Sequence, residues 1–272
     1  MLRGINRPAS MAGIFLAVAL HAGAVDNPPL EKVLLPIVVD GEVSGAYGSR
    51  WASRIAVTNF SASEVAIDAI QATGCNFDPC VRPTPRLQPA TTIYPRMCCL
   101  IPDVPASFLL VEEGRAADLQ IQLRAQDVSR QALTWGTELP VVREADASAG
   151  TLTLSDVPID PRFRLLLRVY DLNSSITSSV RVRIYRISTT QWNPDESIVD
   201  PFVFEVPLVL TGRGEDALVP GYAQLDLGPI QELSGLERIR VEVIATSPSL
   251  RFWAFVSVTN NETQHFTTIT PQ

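Results

Sequence analysis

The sequence predicts an all-β protein, and three observations carry that expectation. Apolar and polar side chains alternate with a period of two in short runs that recur about every ten residues. Pro, Gly, Asn, Asp and Ser punctuate the intervals, as turn chemistry requires. Helical periodicity is almost absent, leaving a single turn or two around residues 229–236 as the one helical candidate. One apolar and one polar face per run is the mark of mainly antiparallel strands with one side on a core. The expected architecture is two β-sandwich-like units of immunoglobulin or jelly-roll type.

Taken in order, the chain opens with MLRGINRPASMAGIFLAVALHAGA, which reads as an export signal. Arg3 and Arg7 supply the positive start, residues 11–20 the apolar stretch, and Ala22 and Ala24 the small pair that suits cleavage after residue 24. The apolar stretch is shorter than the ~20 residues that span a bilayer, and no later run is long enough, so no membrane span is expected in the mature chain. Cleavage would remove two arginines and no acid, taking the formal charge from −7 to −9. Such a chain repels nucleic acid and anionic lipid, which are bound through basic patches.

Strands are then expected over 33–39, 54–59, 65–71 and 91–94, followed by 108–111, 119–126 and 139–143. The interval 75–99 holds all four cysteines: Cys75, Cys80, Cys98 and Cys99. Zinc favours C-x2-C pairs or Cys/His sets, whereas here a C-x4-C is followed by an adjacent pair. In an exported chain disulfides are the default. Both Cys75 and Cys80 are expected to cross to Cys98 and Cys99, and the connectivity stays open. The polar stretch EADASAG, residues 144–150, marks the boundary between an N-terminal unit, 25–146, and a C-terminal unit, 147–272.

The second unit holds the clearest alternation. In RFRLLLRVYD, Phe163, Leu165, Leu167 and Val169 fall opposite Arg164, Leu166, Arg168 and Tyr170. Val180, Val182 and Ile184 oppose Arg181, Arg183 and Tyr185; Ile239, Val241 and Val243 oppose Arg238, Arg240 and Glu242. Further strands are expected over 151–154, 202–210, 222–226, 251–259 and 264–270. In RFWAFVSVT both faces are apolar, so Trp253 and Phe255 are expected to be buried at the junction of the two units. IAVTNFS and VSVTNNE echo one another faintly, as two strands ending in the same asparagine turn would.

Catalytic chemistry finds little support. His265 is the one histidine after the leader and reads as a surface residue. No nucleophile elbow, zinc-helix or Walker-type motif is present. A pair of carboxylates would suffice for glycoside hydrolysis, but Glu112 and Glu113 read as a solvated strand end. Asn193, Asp195, Glu196 and Asp200 form an acidic loop whose oxygens suit calcium, although the spacing is not that of an EF-hand. For ligand binding the candidates are Trp192, placed in that loop, and Trp135, with Asp127 and Arg130 nearby in RAQDVSRQALTWGTELPVVRE. The plainer reading of that last segment is a set of ion pairs locking the first unit against the second. No cofactor is expected.

That segment, with GAYGSRWASRIAVTN, RFRLLLRVYD and RFWAFVSVTNNETQHFTTITPQ, resembles a family of exported bacterial all-β proteins of unknown function. The resemblance implies a secreted β-rich protein and brings no activity, ligand or catalytic residue with it. The expected role is therefore a non-catalytic binding or structural module at the cell envelope or outside the cell. A polysaccharide or an envelope protein is the expected partner. A secreted polysaccharide hydrolase and a self-assembling surface subunit are the alternatives.

Overall fold

The computed structural model describes residues 28–39, 41–68, 84–95, 105–130, 135–187, 200–214 and 217–272. The leader, the four cysteines, Trp192, Asn193, Asp195 and Glu196 lie outside the described residues. Throughout the described chain the regular structure is antiparallel β, with only single 3-10 turns, one of them at Gln231–Leu233 where a helical turn was expected.

Among the described residues ten strands precede residue 144: β1 (Leu30–Leu35), β2 (Val43–Ser44), β3 (Arg50–Asn59), β4 (Val65–Asp68) and β5 (Arg86–Leu87), then β6 (Thr92–Ile93), β7 (Ser107–Glu112), β8 (Leu119–Asp127), β9 (Thr137–Leu139) and β10 (Val142–Arg143). One sheet has the order β10-β1-β7-β4-β5; the other runs β2-β3-β8-β9, with β6 also paired to β3. Inward residues of both sheets share one core: Val33 and Leu109 from the first, Ile55, Val57, Leu123 and Leu139 from the second. This is a sandwich built by simple alternation.

Eight strands follow among the described residues: β11 (Thr151–Pro158), β12 (Phe163–Asp171), β13 (Thr177–Arg186) and β14 (Phe202–Thr211), then β15 (Gly221–Asp226), β16 (Arg238–Ala245), β17 (Phe252–Asn260) and β18 (Phe266–Ile269). They form a single sheet in the order β11-β16-β13-β14-β15-β12-β17-β18. It curls until the ends meet: Ser148, just before β11, bridges Phe252, and the Gln272 N–H donates to the Thr153 carbonyl. The inward set is the one the alternation predicts, with Leu165, Leu167, Val169, Val180, Val182, Ile184, Ile239, Val241 and Val243 all buried in one cluster. The wall is thinnest between β14 and β15, which pair only at Thr211 and Tyr222.

The two parts meet along apolar outer faces. Leu34 of β1 and Phe108 of β7 pack against Tyr170 of β12 and Trp253 and Phe255 of β17. Trp253 is only 6% exposed, as expected of a residue at the junction. β17 is therefore buried on both sides, which is why its sequence is apolar almost throughout. Tyr170 stacks on Phe255, with ring centroids 6.2 Å apart and an interplanar angle of 9°. Phe266 of β18 goes further, entering the first core and meeting Trp51 edge-on at 6.0 Å.

One expected strand divides. Residues 139–143 were read as continuous, yet Leu139 ends β9 in one sheet and Val142 begins β10 in the other. Pro140 lacks an N–H for a ladder, so the chain turns there between two sheets. Asn59 and Asn260 do close their strands alike: the Asn59 Oδ1 accepts from the Ser61 N–H and the Asn260 Oδ1 from the Glu262 N–H, each at 2.9 Å.

Candidate ligand-binding groove

The outward face of β3 and β8 is set by register. Arg54 lies directly opposite Arg124, and Ala56 opposite Gln122. Since Ile55 and Leu123 point into the core, these four point out. The Ala56 methyl leaves a depression among longer side chains, and the resulting cavity of about 720 Å³ is lined by all four. β6 adjoins β3 and β9 adjoins β8, on opposite flanks. Tyr94, just after β6, and Trp135, just before β9, therefore stand on either side of the groove, 76% and 73% exposed.

Gly136 holds Trp135 in place. Its φ is +71°, and a Cβ added there would lie 2.5 Å from the Ala125 carbonyl oxygen. Only glycine allows the chain to press against β8 at this point, and the preceding residue is thereby set at the groove edge.

The charges are uneven. Glu138 of β9 accepts from Arg124 at 2.9 Å. Arg54 is exposed and has no carboxylate or hydrogen-bond partner among the described residues. Two guanidiniums directly across a sheet repel, and one carboxylate neutralises only one of them.

Of the ligand candidates read from the sequence that are among the described residues, only Trp135 reaches this groove. Asp127 is fully buried and serves as a turn anchor. Its Oδ1 accepts from the Arg50 N–H at 3.1 Å, the Ser129 N–H at 3.0 Å and the Ser129 hydroxyl at 2.5 Å. Burial acts to raise its pKa, but these bonds and the Arg130 charge outweigh it and hold the carboxyl below its ordinary value. Arg130 donates to the Tyr47 carbonyl. Among the described residues the ion pairs expected to lock the two parts together do not do so: Arg124–Glu138 joins β8 to β9 within one sheet. Links across are instead neutral, among them the Thr137 hydroxyl to the Phe266 carbonyl at 2.6 Å and the Phe108 N–H to the Leu218 carbonyl at 3.0 Å.

The remaining candidates are placed plainly. Asp200 accepts from the Arg240 Nε at 2.9 Å, so its carboxylate is engaged by a cation. Among the described residues no group of three or more His, Cys, Asp or Glu side chains is arranged to hold a metal ion. Glu112 accepts from the Ala66 N–H at 3.0 Å, a structural use of a carboxylate. His265 is on the surface. No helix among the described residues is long and apolar enough to cross a membrane.

Tyr94 and Arg54 escape sequence reading for one reason. Alternation marks Arg54 as outward, but nothing local says that an arginine of another strand lies opposite or that a tyrosine beyond a two-residue strand closes the flank. Against known protein families, curated proteins and solved structures, the chain has no match.

Proposed function

We propose that this protein is an exported, non-catalytic binding module whose groove on the outer face of β3 and β8 takes a saccharide chain. The observation that carries the reading is the pair Tyr94 and Trp135, two large aromatic side chains exposed on opposite flanks of one cavity. Aromatic faces offer rigid apolar area to the C–H faces of sugar rings while their edges stay wet. Gln122 on the floor adds a donor and an acceptor for hydroxyl groups.

Export and two disulfides among Cys75, Cys80, Cys98 and Cys99 belong to this reading and rest on the leader and the cysteine spacing. Intact mass of the protein from its native compartment, before and after reduction and alkylation, tests them. Loss of residues 1–24 with no free thiol supports export; a full-length chain with four free thiols overturns it.

The binding reading is tested by isothermal titration against a polysaccharide panel, repeated with Trp135→Ala and Tyr94→Ala. Binding by the parent chain and loss in both variants supports it. Undiminished binding by both variants overturns the groove.

A second reading, self-assembly through a sheet edge, draws on β14, which carries the exposed Phe202 and Val209 beside its sparse pairing with β15. A concentration-dependent size-exclusion profile would support it, and a constant monomer profile would overturn it.

A further inference from the structure

We infer that the saccharide is acidic, carrying carboxylates as uronic acid residues do, and that Arg54 pairs with one of them. The inference deepens the binding reading above and rests on it.

The chain as a whole is acidic, with a formal charge of −7. Solubility and colloidal repulsion are served by such a charge, and an exposed guanidinium without a carboxylate partner is free to meet an anion from outside. Arg54 is in that position. It faces Arg124 directly across the β3–β8 ladder, where Cβ atoms of opposed residues stand roughly 5 Å apart and like charges destabilise the pair. Glu138, the register partner of Arg124 on β9, answers one of the two charges. Among the described residues the groove floor is left with one positive charge between two aromatic flanks, on a protein of opposite overall sign.

A carboxylate resolves this. Its two oxygens match the planar fork of a guanidinium, giving a short bidentate pair. A pyranose bearing that carboxylate presents an apolar ring face to Trp135 or Tyr94 at the same time. A neutral glycan would leave Arg54 hydrated and its repulsion with Arg124 in place. Nucleic acid would supply both anions and stacking faces, but it is held by a row of cations along the backbone, and the described residues of the groove offer one unbalanced charge. The ligand is therefore a polymer with one contacted carboxylate, whose binding weakens with salt at a log–log slope of about −1, as release of about one counterion implies.

The test uses the mature chain and three probes: polygalacturonate, the same polymer with its carboxyls reduced to hydroxymethyl groups, and poly-L-glutamate. Arg54→Gln, at an exposed position, is compared with the parent after thermal melting shows both to be folded. The expected result is binding of polygalacturonate, about 10- to 100-fold weaker binding in Arg54→Gln, and weak binding of the reduced polymer by both chains. Equal binding of native and reduced polymers, unchanged in Arg54→Gln, overturns the acidic assignment and leaves the groove reading standing. Poly-L-glutamate bound as tightly as polygalacturonate overturns the saccharide assignment. Full binding of polygalacturonate by Trp135→Ala and Tyr94→Ala, or no binding of any polymer by the parent, overturns the groove reading itself.

Discussion

The Tyr170 hydroxyl of β12 donates a 2.5 Å hydrogen bond to the Pro36 carbonyl just beyond β1, and both ends of that bond are buried. It joins the curled sheet to the sandwich within a largely apolar contact. Burial pushes the Tyr170 phenol well above its ordinary pKa, so the group stays a neutral donor through the ordinary range of a tyrosine. Tyr170→Phe keeps the ring and leaves the Pro36 carbonyl without its partner. The expected loss is about 1–3 kcal/mol of unfolding free energy, read by urea denaturation. A loss under ~0.5 kcal/mol would mean that water reaches this contact.

Phe266 should make the two parts one cooperative unit. Phe266→Ala should cost about 3–5 kcal/mol, although the residue belongs to the curled sheet and the cavity opens in the sandwich core. Near-ultraviolet dichroism should show the Trp51 signal lost with the rest in a single transition, since Trp51 meets Phe266 edge-on. Two separated transitions would show that the parts melt independently.

Gly136→Ala should injure binding and folding together. The positive φ and the 2.5 Å approach to the Ala125 carbonyl both resist a Cβ. A destabilisation of about 1–3 kcal/mol is expected, with weakened saccharide binding as Trp135 is displaced. Trp135→Ala, by contrast, should change stability by no more than about 0.5 kcal/mol, because the side chain is largely exposed.

Asp127 supplies a pH dependence with a definite sign. Its folded pKa lies below the ordinary 3.8. Its contribution to stability is therefore fully present above that value and is lost as pH falls through the lower folded pKa. Asp127→Asn should be less stable than the parent by about 1.5–3 kcal/mol near neutrality, as for hydrogen bonds to a charged group. The gap should close at pH below 3.8. Urea melts at several pH values would read this, and a gap that persists unchanged in acid would contradict the assigned ionisation.

Much of the fold was legible in the sequence because alternation reports a local quantity, the face on which a side chain lies. Leu165 and Val241 could be assigned to a core, and Trp253 to the junction, from neighbours one and two residues away. Alternation is silent about which strand lies beside which. The opposition of Arg54 and Arg124 therefore appears only with the register, and so does the place of Phe266 in the first core. Asp127 was a ligand candidate for its nearness in sequence to Trp135. Ser129, two residues on, is the signal of a side chain folded back on its own turn. Pro140 was likewise the sign that 139–143 could not continue as one strand.

The place of Phe266 also sets a clock. Ribosomes deliver a chain from its N-terminus, and β1 to β10 are all available while β18 is still well over a hundred residues from being made. At ordinary elongation rates the interval is roughly 10 s. During it the sandwich core has a hole where an aromatic ring belongs, and Leu34 and Phe108 face water. Until that last strand arrives, the early half of the chain therefore exposes apolar surface that the finished fold covers.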